Sequence, residues 1–394
     1  MKRKIDIIVK YFYPVTAGIE TNILETYSVL AKRGWDVDIH TSKDTYDKKN
    51  SLPEKEIIRG LKVSRYRWGK LGFFPKIDWD STDLVCLHNF DVFPHFQILI
   101  YTLLRKIFGK KNFSLVVTPH GGFSLDLAWS VFPLWQKAIK EIYNATLGKR
   151  LINLTVDAIR AVSEWERQDL IKKGIKSSLV AVIANGLENE AYMDVENLAS
   201  KEIKAKVKSW GKYIIQIGRI YPIKNYETTI RALRMVHKDI NFVIVGPVEK
   251  NQNPEYFNRL QSLILKMGLT KRVIFAGVIR EVDKYYTIKK AQMMVHMAVW
   301  ESFCNVVHEG LAMGLPLIVA NNTALPLLVK DRINGYLVET KDYKKVSERI
   351  NYVLDHLGSI EIMEMKKRNE KQGKAVSWKN VALRMDSLYR SLLS

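Results

Sequence analysis

At 394 residues the chain is long enough for two or three domains with substantial cores, so it needs no disulfide scaffold. Hydrophobic, aromatic and charged fractions of 47%, 10% and 26% exclude disordered, collagen-like and coiled-coil classes. Lys and Arg number 62 against 41 Asp and Glu, and the resulting +21 implies an anionic partner: phosphorylated substrate, phospholipid surface or nucleic acid.

The two cysteines, Cys86 and Cys304, lie far apart and read as reduced buried thiols, too few for a zinc pattern. The apolar run 5–9 is interrupted by Asp6 and closed by Lys10, too short for a signal peptide. Residues 90–104 contain Asp91, Pro94, His95 and Gln97 and fall short of the ~20 apolar residues of a spanning helix. A cytoplasmic chain with no membrane-crossing segment is the expectation.

In chain order, short apolar runs bounded by turn residues alternate with segments of helical periodicity, the pattern of βα units on parallel sheets. Residues 5–9 read as a strand, 19–32 as a helix closed by Gly34, and 37–41, 84–88, 115–118, 158–162 and 180–183 as further strands. Residues 198–210 are lysine-rich and weakly apolar and read as a linker. The alternation then restarts: strands at 213–217, 242–245, 273–275, 294–297, 317–319 and 335–338, helices at 226–236, 256–267 and 306–313. Residues 343–393 are helical in pattern with a break at 373–378. The restart predicts two α/β domains, 1–200 and 201–377, with a last helix at about 378–394.

Ligands bind at the carboxyl ends of strands in such sheets, so the loops after strands carry the functional reading. Gly18, after the first strand, opens a helix whose free N–H groups favour a phosphate. No G-x-G-x-x-G follows, which argues against a dinucleotide-dependent oxidoreductase. In Gly218-Arg219-Ile220-Tyr221-Pro222-Ile223-Lys224-Asn225, a guanidinium and an ammonium five residues apart in a strand-loop-helix setting can converge on a diphosphate. In Glu301-Ser302-Phe303-Cys304-Asn305-Val306-Val307-His308-Glu309-Gly310, the glutamate spacing alone carries nothing. Its place between an apolar strand and a helix start does, because the helix N–H groups can meet a sugar-phosphate there.

These blocks, with Thr118-Pro119-His120-Gly121-Gly122, Ala161-Val162-Ser163-Glu164, Ile183-Ala184-Asn185-Gly186, Val245-Gly246 and Asn334-Gly335-Tyr336-Leu337-Val338, resemble the retaining nucleotide-sugar glycosyltransferases of family 4, GT-B fold. The resemblance implies two Rossmann-like domains with parallel sheets facing across a cleft, the acceptor in the first and the donor in the second. It implies Arg219 and Lys224 as the diphosphate clamp and Glu309 as the ribose carboxylate. Gly18, Gly246, Val278, Phe303, Cys304 and Asn305 fall among donor contacts, with Glu301 and His120 catalytic beside the sugar. It also implies no cofactor and no metal, a UDP- or GDP-linked donor, and a lipid-linked or glycan acceptor in cell-surface polysaccharide, glycolipid or glycoprotein assembly. Where the family carries Glu-Gly-Phe-Gly, this chain has Glu301-Ser302-Phe303-Cys304, and the stretch 323–328 lacks the usual glycine pair and glutamate.

Two D-x-D strings, Asp36-Val37-Asp38 and Asp78-Trp79-Asp80, sit where a diphosphate-bound metal is not expected, and His88 and His95 have no ligand spacing. Basic-aromatic stretches at 65–74 (Arg65, Arg67, Trp68, Lys70) and 125–149 (Trp129, Phe132, Trp135, Lys137, Lys140, Lys149) suit the anionic cytoplasmic face of a membrane. A sugar-nucleotide epimerase of related fold and a non-enzymatic anion or nucleic-acid binder are the alternatives. A transferred sugar separates the first, and the second lacks a recognised nucleic-acid-binding module.

Overall fold

The computed structural model describes residues 2–15, 17–45, 52–90, 92–123, 134–248 and 254–394. The chain forms two compact units, Met1–Gly186 with Trp378–Ser394, and Leu187–Ser377.

The first unit holds an eight-stranded sheet: β1 (Lys4–Ile8), β2 (Asp36–Ser42), β3 (Lys55–Ile58), β4 (Leu61–Tyr66), β5 (Leu84–His88), β6 (Ser114–Thr118), β7 (Ala158–Ala161) and β8 (Val180–Val182). Their order is β3-β4-β2-β1-β5-β6-β7-β8, and β3 alone runs antiparallel to its neighbour. The second unit holds β9 (Lys212–Ile217), β10 (Ile240–Val245), β11 (Val273–Gly277), β12 (Met293–His296), β13 (Leu317–Ala320) and β14 (Tyr336–Val338), all parallel, in the order β11-β10-β9-β12-β13-β14. Both faces of these sheets are covered, so central strands such as Leu84–His88 are buried at every residue and read as continuous apolar runs. In the second sheet the strand order reverses at β9, between β10 and β12. The loops after β9 and β12 therefore flank the crevice where ligands of doubly wound sheets bind.

The boundary lies at 186/187, not at 200. Leu187, Ala191, Val195 and Ala199 are buried in the second core, so this segment belongs to that unit. The lysine-rich stretch read as a linker contains the helix Lys201–Ser209, capped by Ser200, whose Oγ accepts from Ile203 N at 3.1 Å. Ile203 and Val207, four apart, bury its one apolar stripe.

The hairpin β3–β4 was not expected. It turns at Arg59 and Gly60, both at positive φ (50° and 84°), and the weak Arg-Gly signal hides a type I′ turn. Arg65, read as a loop cation, is buried on β4, donating to the carbonyls of Tyr13 (2.7 Å) and Pro53 (3.3 Å) and pairing with Glu56. Trp129 and Phe132 lie outside the described residues. The neighbouring helix Leu134–Tyr143 is inside out: Leu134 and Trp135 are 81% and 63% exposed, whereas Lys140 is 5% exposed, its Nζ 4.7 Å from the Phe90 ring centroid.

After the helices Tyr343–Asp355 and Ile360–Gly373, the chain returns to the first unit with Trp378–Leu392. Asp386 anchors this helix, accepting from Trp35 Nε1 at 2.8 Å and pairing with Arg33 at 3.0 Å.

Candidate functional site

In the second unit, β9 delivers Gly218 and Arg219, and Tyr226 OH donates to the Gly218 carbonyl at 2.7 Å. Gly218 and Gly246 sit at φ 151° and 148°, and a Cβ on Gly246 would overlap the Gly218 carbonyl oxygen. Glycine at 246 is thus required by the close approach of two strand-end loops. Arg219 is half-buried, its guanidinium 5.8 Å from the Tyr221 ring centroid.

Asn225, at φ 49°, ties the loop down by donating Nδ2 to the carbonyls of Met297 (2.9 Å) and Thr340 (2.8 Å), while Gln216 donates to the Lys224 carbonyl (2.8 Å). Lys224 Nζ consequently meets Glu301 Oε1 at 2.5 Å, and the same oxygen faces His296 Nε2 at 2.9 Å. Burial would raise the Glu301 carboxyl, but Lys224 and His296 outweigh it and hold the group at about 2. His296 is buried and pushed down, so it is neutral at pH 7. Thr323 Oγ1 accepts from Glu301 N at 3.0 Å, which fixes the loop after β12 although residues 323–328 lack the family's pattern.

Cys304 stands at φ 78° as the N-cap of the helix Asn305–Ala312, a conformation that favours glycine. Its thiol is buried and pushed well up, so it is not a nucleophile. Phe303 is buried with its ring 5.6 Å from His308, edge to face. Asn305 opens the helix, and Val278, just past β11, is 51% exposed.

One turn into this helix Glu309 is buried with Oε1 3.1 Å from Lys284 Nζ. Its Oε2 is buried without a hydrogen-bond partner among the described residues. Lys284 also meets Glu188 at 2.7 Å, and Tyr285 OH donates to Glu188 at 3.1 Å. Burial, partly offset by Lys284, raises the Glu309 carboxyl to about 6. The pair therefore presents one satisfied carboxylate oxygen and one waiting for a donor.

In the first unit His120 follows β6 at φ 50°, with Gly121 at φ 80°. Its Nε2 lies 3.0 Å from His88 Nδ1; His88 Nε2 lies 2.9 Å from Tyr27 OH, and Tyr27 OH 2.7 Å from Tyr389 OH. Cys86 Sγ donates to Tyr389 at 3.4 Å, and a proton order continued from there runs Tyr389 to Tyr27 to His88 to His120. That order leaves the His120 proton on Nδ1, outside the chain. Burial and the nearby Arg160 guanidinium push His120 down to about 3 and His88 well below its ordinary value, so both are neutral. Glu166 accepts from the backbone N–H of Gly121 and of Val162 (2.7 Å) and fastens the His120 turn to the end of β7. Gly18 opens the helix Gly18–Lys32 at an exposed position after β1.

Sequence reading missed His296, Lys284, Glu188, Glu166 and His88. Of these, His88 and His296, each the last residue of a strand, carried a positional signal. Asp36 and Asp38, of the first D-x-D string, pair with Lys62 and Lys4. Both cysteines are free and buried. No helix among the described residues is long and apolar enough to cross a membrane.

Residues 199–375 match the family described as Glycosyl transferases group 1, and residues 16–190 match Glycosyltransferase Family 4. A relative from Campylobacter jejuni, N-acetylgalactosamine-N,N'-diacetylbacillosaminyl-diphospho-undecaprenol 4-alpha-N-acetylgalactosaminyltransferase, is 25% identical over 55% of this chain and 57% of its own. Alignments to the first curated relatives span 54–62% of those relatives' length. Among solved structures, sucrose-phosphate synthase of Thermosynechococcus elongatus superposes with a TM-score of 0.77 at 18% identity, covering 99% of both chains. HepE of Anabaena, solved with UDP and glucose, gives 0.76 at 16% identity, covering 99% of this chain and 100% of its own. With two glycosyltransferase families matched in order along one chain, and the fold shared over its length, the chain belongs to the family 4, group 1 glycosyltransferases of the GT-B fold.

Proposed function

We propose that the chain transfers a sugar, with retention of configuration, from a nucleotide-diphosphate sugar to an acceptor hydroxyl, without a metal or other cofactor. The observation that carries this reading is the pairing of two unlike carboxylates at the switch point of the second sheet. Glu301 is ionised and holds Lys224 in place, whereas Glu309 has one oxygen fixed by Lys284 and the other buried and unsatisfied.

Glu309 Oε2 is suited to accept from a ribose hydroxyl, which removes the cost of a buried unpaired acceptor. Arg219 and Lys224 then serve the diphosphate, whose departing oxygen gathers negative charge in the transition state. Lys224 exchanges its Glu301 partner for the diphosphate, and Glu301 turns toward the sugar. In retaining transfer by front-face attack, the leaving phosphate takes the acceptor proton, so a protein nucleophile is not required. His120 acts as a neutral donor from Nδ1 to a sugar or acceptor oxygen, since a base is not available at a ring pushed down to about 3.

The same reading gives the chain a UDP- or GDP-linked donor, as the UDP complex of HepE suggests. It also gives a lipid-linked or glycan acceptor in cell-surface polysaccharide or glycan assembly, as the diphospho-undecaprenol of the Campylobacter relative's name suggests. The inside-out helix Leu134–Tyr143 and the +21 charge support work at an anionic cytoplasmic membrane face.

Thermal unfolding with UDP-, GDP- and ADP-sugars tests the donor. A ligand at 100 times its Kd adds about 2.7 kcal/mol, so one nucleotide series should raise Tm by several degrees. NMR of the product then reads the anomeric configuration. No stabilisation by any of the three, or an epimerised sugar without transfer, would overturn the reading.

A further inference from the structure

Cys304 occupies a position whose backbone, at φ 78°, favours glycine, and its side chain is buried. One ligand atom each from His296, Glu301 and Cys304 lies within 4.8 Å of the others, and all three residues are buried. The donors of a tetrahedral ion with bonds of about 2.0–2.3 Å stand ~3.3–3.7 Å apart, within the span of this cluster, and His296 and Glu301 are 2.9 Å apart. His296 Nδ1 is buried without a hydrogen-bond partner among the described residues, and because an ionised carboxylate only accepts, the ring proton sits on Nε2 toward Glu301 and must move to Nδ1 before Nε2 can ligate.

We propose that His296, Glu301 and Cys304 form an inhibitory Zn2+ site. Imidazole, carboxylate and thiolate are a borderline-to-soft donor set that suits zinc, and three protein ligands leave a fourth position for water. On binding, the Cys304 sulfur releases its proton to solvent and forms the Zn–S bond. The imidazole shifts its proton from Nε2 to Nδ1 and donates the Nε2 lone pair, and Lys224 leaves Glu301 as the cation arrives. Lys224 must be displaced and His296 lacks an outer partner to orient it, which makes the site exchangeable rather than structural. Glu301 and Lys224 are then withdrawn from the diphosphate and the sugar, so zinc and donor exclude each other. This last step rests on the proposed donor site, whereas the metal site itself does not.

Titration of the intact, donor-free chain with Co2+ reads the site directly. Wild type should develop a thiolate-to-metal absorption in the near ultraviolet with tetrahedral visible bands, and Zn2+ should displace both. Cys304→Ser and Cys304→Gly should lose the thiolate band and weaken Zn2+ binding on the order of a hundredfold. The glycine variant suits the backbone and guards against a folding artefact. His296→Gln should weaken binding similarly while keeping part of the thiolate band. Absence of the band in wild type, or its persistence in both Cys304 variants, would overturn the site. A band that forms normally but is not displaced by the nucleotide sugar that stabilises the chain would instead overturn the placement of the donor.

Discussion

The polar clusters of the two units treat charge in opposite ways. In the first, His88 and His120 are pushed down and Glu166 is pushed up to about 7, mainly by burial, with Arg160 opposing the rise of Glu166. The histidines are neutral and joined in a chain of hydrogen bonds. In the second, burial of Glu301 and Lys284 is overridden by opposite charges, so the ions persist inside the fold. A neutral cluster positions hydroxyls and presents a single N–H, whereas a paired one keeps cations inside the fold, where the proposed reaction uses them for an incoming diphosphate. Chemistry that departs through a phosphate oxygen needs its largest electrostatic effect in the second cluster.

The strongest way to break the comparison follows. Lys224→Ala and Arg219→Ala should each remove about 2–4 kcal/mol of transition-state stabilisation, a loss of roughly 30- to 1000-fold in kcat/KM. Lys224→Ala also leaves Glu301 ionised beside His296 alone, so its loss should exceed that of Arg219→Ala. Steady-state kinetics with the donor found by thermal screening would measure both, and near-normal turnover in either would end the clamp assignment.

His120→Ala should come next, lowering kcat about ten- to a hundredfold by removing one hydrogen-bond donor, with nucleotide affinity unchanged. Isothermal titration with the free nucleotide supplies the second half of that test. Nucleotide affinity lost in step with kcat would contradict a neutral positioning cluster.

Glu166→Gln sharpens the same contrast. A carboxylate accepts from both Gly121 and Val162, whereas an amide can accept from one and turns N–H against N–H at the other. The loosened His120 turn should lower kcat about fivefold at constant donor KM. Its raised carboxyl gives stability that is full below the unfolded value near 4.3 and lost as pH rises through about 7. Wild type should therefore lose Tm relative to Glu166→Gln between pH 5 and 8. A parallel pair of Tm profiles would remove the buried ionisation.

Much of this organisation was legible beforehand because parallel strands buried on both faces leave uninterrupted apolar runs, as at Leu84–His88 and Ile240–Val245. Arg219, Lys224 and Glu301 were singled out because they lie in loops after strands, and Glu309 because it lies one turn into the helix that follows the Glu301 loop. The hairpin Lys55–Tyr66 was not, since its edge strand alternates exposed and half-buried residues around a weak turn. Arg65 was misread for the same reason: a cation beside aromatics looks exposed until two carbonyls and Glu56 close around it. Lys284 and Glu166 were invisible because the partners that tie them to the site residues, Glu309 and the Gly121 N–H, lie 25 and 45 residues away, across separate helices and loops.

Glu309 carries a smaller and pH-dependent effect. Below about pH 6 its carboxyl takes up a proton and Oε2 no longer accepts freely, so donor KM should rise roughly tenfold per pH unit there and stay flat above 7. Glu309→Gln should raise KM about tenfold at pH 8 and abolish the transition near 6. A wild-type KM that is level from pH 5 to 8 would remove Glu309 from the ribose.

The smallest effect on chemistry, and the one confined to the first unit, concerns the membrane. Arg65 is buried and contributes nothing to an exposed charge, which leaves Arg67 and Lys70 as accessible cations of that stretch. Each is worth about 1 kcal/mol near an anionic surface and acts only within a Debye length of ~8–10 Å. Trp135 and Ile139, exposed on the inside-out helix, contribute by burial and are insensitive to salt. Anionic liposomes should therefore sediment the protein at low ionic strength and release most of it at high, while neutral liposomes capture little. Arg67→Ala with Lys70→Ala should weaken capture only at low salt, whereas Trp135→Asp with Ile139→Asp should weaken it at both. Neither pair should change donor KM, because the donor residues all lie in Leu187–Ser377 apart from Gly18. Capture that ignores both pairs, or liposomes that leave the protein in the supernatant at low salt, would assign the +21 charge to a soluble anionic acceptor.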